Sequence, residues 1–118
     1  MRQNFEDWWE CLPNRIPAGT VINAWSQLKD DLPGEFTFKM LDNDWSQVVI
    51  ENPSRNIAKY DFKWVYGFWE EYCRGVLARS KINEGTVNST YIISILHWLD
   101  KHPKARLIAA PAGFEPAT

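Results

Sequence analysis

Cysteine is nearly missing from this chain. Only Cys11 and Cys73 occur in 118 residues, and their separation fits no metal-ligand spacing. The N-terminal run Met-Arg-Gln-Asn-Phe-Glu-Asp lacks the apolar stretch of a signal peptide. Two thiols in a chain without a secretion signal read as reduced and buried rather than bridged. No apolar run approaches the roughly 20 residues that cross a bilayer. Also absent are a phosphate-cradling glycine loop, a nucleophile elbow and a zinc-binding His-Glu-x-x-His helix. Histidine is limited to His97 and His102, five apart and off a common helical face, so neither reads as a metal ligand. The carboxylate pairs Glu6/Asp7, Asp30/Asp31 and Glu70/Glu71 are sequence neighbours that point in different directions on a helix, which suits solvated surface better than acid/base work. These absences predict a cytoplasmic globular protein with no catalytic residues, metal, cofactor, small-molecule substrate or membrane contact.

Core material is abundant. Apolar residues make up 45% of the chain, aromatics 14%, and seven are Trp, enough to build one core at this length. Charge is uneven. Residues 1–52 carry four basic and nine acidic side chains, a balance of −5, whereas residues 53–118 carry nine and six, a balance of +3; together they give the total of −2. Such asymmetry hints that the C-terminal half meets a polyanion.

Periodicity organises the chain. Phe5, Trp8, Trp9 and Leu12 have the i, i+3, i+4, i+7 spacing of one helical face, which Pro13 stops. Thr20 is placed to cap a second helix with the stripe Val21, Trp25, Leu28 and Leu32, ended by Pro33-Gly34. The period then falls to two. Phe36–Leu41 and Trp45–Ile50 flank the turn cluster Asp42-Asn43-Asp44, which predicts an antiparallel hairpin, packed on the next helix through Phe36, Phe38 and Val48 or Val49. Residues 52–56 read as a loop between halves. A helix over 61–79 follows, with the stripe Val65, Phe68, Trp69, Tyr72, Cys73 and Val76. After a connector, Thr86 caps a last helix with Val87, Tyr91, Ile92, Ile95, Trp98 and Leu99 inward. The expected fold is mainly α with a small β-hairpin (α+β), four helices in the order helix-helix-hairpin-helix-helix. Its parts are an acidic portion over 1–52, a helical hairpin over 57–103 and an irregular tail over 104–118.

Trp8, Trp25, Trp69 and Trp98 fall on core faces. Trp9, Trp45 and Trp64 fall less cleanly on them and are candidate exposed anchors for a protein partner, since interface hot spots are enriched in Trp.

One stretch resembles a known family. Phe68-Trp69-Glu70-Glu71-Tyr72 leads through Leu77 to Arg79-Ser80-Lys81-Ile82-Asn83-Glu84-Gly85-Thr86-Val87-Asn88, then to Tyr91, Leu96 and Trp98-Leu99-Asp100-Lys101-His102. Residues 60–103 are in this similar to the core-binding, SAM-like helical domain of tyrosine recombinases (phage integrases). The family's catalytic residues belong to a later domain absent from this chain, so the resemblance implies DNA clamping without strand cleavage. It would set Arg79 and Lys81 beside phosphates, with Arg74 extending the patch and the helix start near Thr86 and Asn88 adding partial positive charge.

The end of the chain supplies a second clue. Gly113-Phe114-Glu115-Pro116 back-translates through GGG-TTC-GAA-CCC, a string that resembles the T-arm of a tRNA gene, the usual attachment site of integrating elements. Two expectations follow. The first is a non-catalytic module of a prophage or other mobile element that binds duplex DNA, like the front of a truncated integrase. The alternative is a small inhibitor, immunity or anti-defence factor that binds a host or phage protein.

Overall fold

The computed structural model describes residues 4–27, 30–41 and 46–102, with side chains for all of these except 30–33, 40 and 41. Trp45 and the tail beyond residue 102 therefore lie outside the described residues. Along the chain come α1 (Phe5–Arg15), β1 (Thr20–Ser26), β2 (Asp30–Leu41), β3 (Gln47–Glu51), β4 (Arg55–Ala58), α2 (Lys59–Cys73), α3 (Arg79–Asn83) and α4 (Ser89–Lys101).

The expected order is thus overturned: four strands stand together between α1 and the last three helices. The second helix is not formed, and residues 20–26 are β1. Its Thr-Val-Ile opening is β-branched and prefers the pleated surface. Ile22 and Ala24 point inward while Val21, 51% exposed, and Asn23 point out. A helical stripe and a two-residue alternation both fit so short a window, and burial of Ile22 selects the strand. Pro33-Gly34 lies within β2 instead of ending a helix. The register steps from Asn23↔Glu35 to Trp25↔Asp31, so two residues of β1 span four of β2. The excess is a bulge that holds Gly34 at φ +106° and admits a proline that a central strand otherwise rejects.

The hairpin is present but enlarged. β2 and β3 pair antiparallel through Phe38↔Ile50, Met40↔Val49 and Leu41↔Val48. Residues 52–54 form the turn into β4, which pairs with β3 through Val48↔Ile57 and Ile50↔Arg55. The anticipated boundary between halves is therefore part of one sheet, in the order β1-β2-β3-β4.

Helices cover one face of that sheet. Ile22, Phe36, Phe38, Val48, Ile50 and Ile57 point into a single core shared with all four helices. The other face is solvated, as antiparallel sheets permit, and carries the Lys39–Glu51 ion pair at 3.1 Å. Phe36 meets Tyr91 of α4 edge-on at 5.3 Å, so it packs on the last helix and not, as expected, on the preceding one. Asn4 caps α1, its side chain accepting the Asp7 N–H at 2.9 Å. The helix runs two residues past Pro13 to Arg15; at its C-terminal turn the proline removes few bonds. Its predicted stripe is correct: Phe5, Trp8 and Trp9 meet Phe62 and Tyr66 of α2 at centroid separations of 4.9–6.3 Å.

The long helix expected over 61–79 stops early, and the stretch expected as a connector holds most of α3. α2 ends at Cys73 in a Schellman turn, with Gly75 N–H on Tyr72 O and Val76 N–H on Glu71 O, both at 3.0 Å. Gly75 takes φ +76°, a conformation suited to glycine. Past this break Val76 turns outward at 67% exposure. Cys73 is exposed and Cys11 half-buried, so the expectation of two buried thiols is also corrected. Val87, expected inward, is 89% exposed because α4 begins only at Ser89.

Candidate functional site

The turn between α3 and α4 gathers most of the residues expected at a nucleic-acid surface. Its backbone is held from α2: the Trp64 indole N–H donates to Ile82 O at 2.9 Å, and the same indole covers Gly85, where a Cβ would overlap the ring. Thr86 is buried. Its hydroxyl donates to Asp61 Oδ2 at 3.1 Å and accepts the Asn88 N–H at 2.9 Å. Asn88 donates from Nδ2 to Asp61 at 3.3 Å and accepts Arg55 Nη1 at 3.0 Å. Arg79 reaches inward as well, donating from Nη2 to Ser89 Oγ at 3.2 Å and Thr90 Oγ1 at 2.7 Å. Its Nε is sealed from solvent with no partner among the described residues.

Two of the five remain at the surface. Lys81 lies 3.5 Å from Glu84 and 5.9 Å above both the Trp64 and Phe68 rings. Arg74 is exposed at the C-cap of α2. Thr86, Asn88 and Arg79 instead form a polar clasp that fixes the α3–α4 turn. Of the three Trp named as exposed anchors, Trp9 is a correction: it is 1% exposed and fully within the core. Trp64 is half-buried beside Phe68, and Trp45 is not described.

Helix α4, whose opening turn the resemblance would set beside nucleic acid, is covered by β1. The Trp25 N–H donates to Ser94 Oγ at 3.0 Å, and His97 stacks on Trp25 at 3.9 Å with planes 6° apart. Ile92, Ile93, Ser94, Ile95, Leu96 and Leu99 are all buried.

A cleft of about 420 Å³ opens between the end of β1 and the break after α2, lined by Ser26, Gln27, Tyr72, Val76, Leu77 and Arg79 among others. The Tyr72 hydroxyl accepts the Gln27 N–H at 3.0 Å at its base. Hydroxyl and amide groups stand beside apolar side chains, a lining that recognises rather than reacts. Sequence reading missed this cleft. Gly75 was a signal for the break that forms it, but its two walls lie some fifty positions apart. A second hollow of about 400 Å³ lies where Arg55 passes 5.3 Å over the Tyr91 ring, beside Thr90 and Val87. Among the described residues no cluster of His, Cys, Asp or Glu is fit to hold a metal, and no helix is long and apolar enough to cross a membrane.

A scan of protein-family models finds no match, and neither curated proteins nor solved structures yield one.

Proposed function

We propose that this chain is a non-catalytic cytoplasmic module that binds a protein partner, of the inhibitor, immunity or anti-defence kind. The observation that carries this reading is the open cleft with Val76 exposed on its rim, beside a clasp in which Thr86, Asn88 and the Arg79 Nη2 hydrogen-bond within the chain. An apolar side chain of the partner, flanked by its backbone amides, suits such a lining. Selection from a random peptide display library tests it. Enriched peptides should shift the amide resonances of Ser26, Gln27, Val76 and Ala78 and lose at least about tenfold in affinity on Val76→Glu, as hot-spot contacts do. Enrichment of nothing, or binding indifferent to Val76, would reject it.

A second reading has its own support. The exposed Arg74 and Lys81, the basic C-terminal half and the integrase likeness of residues 60–103 favour duplex DNA and a mobile-element origin. For that reading affinity should fall steeply with salt, and Arg74→Ala with Lys81→Ala should flatten the slope by about two, one per phosphate contact. Salt-independent or absent binding would discard it. A genomic locus without a tRNA gene overlapping the codons of residues 113–116 would discard the attachment-site origin.

A further inference from the structure

The outer face of α2 carries an arrangement that the contacts within the chain use only in part: Trp64 holds the α3–α4 turn, and Lys63 adds its charge near Glu6. Phe62, Val65, Tyr66, Trp69 and Tyr72 turn to the core. At 3.6 residues per turn the opposite side presents Tyr60, Lys63, Trp64, Gly67, Glu71 and Arg74. Tyr60 is 69% exposed; Lys63, Gly67 and Arg74 are exposed, and Trp64 and Glu71 half-buried. Aromatic side chains on a solvent-facing stripe are unusual for a helix whose apolar side is already buried. Gly67 is stranger still. It weakens a helix interior, its φ is not in the left-handed region, and among the described residues nothing outside its own helix backbone lies within 4 Å of where a Cβ would stand. The described residues give no reason for a glycine there, whereas a close backbone approach from outside would.

The stripe is also complementary to itself about Gly67. Lys63 stands four residues before it and Glu71 four after; Tyr60 stands seven before and Arg74 seven after. We propose that α2 is a self-association surface on which a second copy of this chain packs antiparallel, its Gly67 against Gly67. A two-fold axis at that point sets Lys63 against the partner's Glu71 and Arg74 over the partner's Tyr60 ring, and each contact occurs twice. Trp64 then adjoins the partner's Phe68 along the other flank. Self-complementarity of this kind is what an isologous contact requires, and a chain-foreign helix would have to reproduce it by chance. One helix face per copy falls at or below the low end of stable interfaces, about 1,200 Å² in total, which suits a weak, reversible dimer. The inference does not rest on the cleft, which Lys63, Gly67 and Glu71 do not line.

Sedimentation velocity of the full chain, from low to several hundred micromolar, tests it. Wild type should pass reversibly from monomer to dimer. Lys63→Glu and Glu71→Lys should each weaken the dimer by about tenfold, two exposed pairs having become repulsive, while the double variant returns close to wild type. Gly67→Gln should melt no lower than wild type, since the space above it is open, and remain monomeric. A wild type that stays monomeric, a dimer indifferent to Gly67→Gln, or a double variant no better than the singles would each overturn the proposal; the first would leave this face to a different protein.

Discussion

Glycines at 67 and 85 have opposite requirements although both sit beside helix surface. At Gly85 the Trp64 indole occupies the space a Cβ would need, so Gly85→Ala forces the ring out of its hydrogen bond with Ile82. We expect a loss of about 1–3 kcal/mol in denaturant unfolding. Gly67→Ala meets nothing and should gain about 0.5–1 kcal/mol from helix propensity, so the two alanines should move the midpoint in opposite directions. Glu6 shows charge at the same scale. A hydrogen bond from Lys59 at 2.7 Å holds its carboxyl below the ordinary value, against the opposing effect of desolvation and with help from the charges of Lys59 and Lys63. A carboxylate with a depressed folded-state value stabilises above its unfolded value, and that help disappears as pH falls through the folded one. The melting difference between wild type and Glu6→Gln should therefore favour wild type at neutral pH, modestly because the pair is exposed, and vanish in acid.

Elements show where one-dimensional patterns suffice. α1 was legible because Phe5, Trp8, Trp9 and Leu12 all turn to one side, and the β2–β3 hairpin because Phe36 and Phe38 alternate with polar neighbours. β1 was not, because Val21 and Trp25 have helical spacing within a seven-residue strand whose alternation breaks at a bulge. β4 was hidden by its length of four residues. The end of α2 was marked by Gly75, yet Val76 continued the apolar stripe and masked the stop. Gly75→Ala places a Cβ at φ +76° and should cost about 1 kcal/mol, read as an earlier urea midpoint with the slope unchanged. The clasp was half legible: Thr86 is the capping residue type, but its partner Asp61 lies twenty-five positions away. The cleft was not legible at all, since no local pattern joins Ser26 to Arg79.

On the scale of the whole molecule, one core joins the acidic N-terminal portion to the basic C-terminal one. Trp9, fully buried between α1 and α2, tests that unity: Trp9→Ala should cost about 3–5 kcal/mol, and circular dichroism and near-ultraviolet signals should be lost together if the portions unfold as one. The way α4 lies along β1 has a further effect. β1 is a sheet edge, and an edge with bare N–H groups is a template for a foreign strand. Here the Trp25 N–H is held by Ser94 and the Gln27 N–H by Tyr72, while the opposite edge, β4, is only four residues long. The end of β1 is thus closed to a foreign strand at these two donors. Ser94→Ala would free the Trp25 N–H at a cost of about 1–3 kcal/mol and expose that part of the border, so this variant should seed thioflavin-positive fibrils on prolonged incubation.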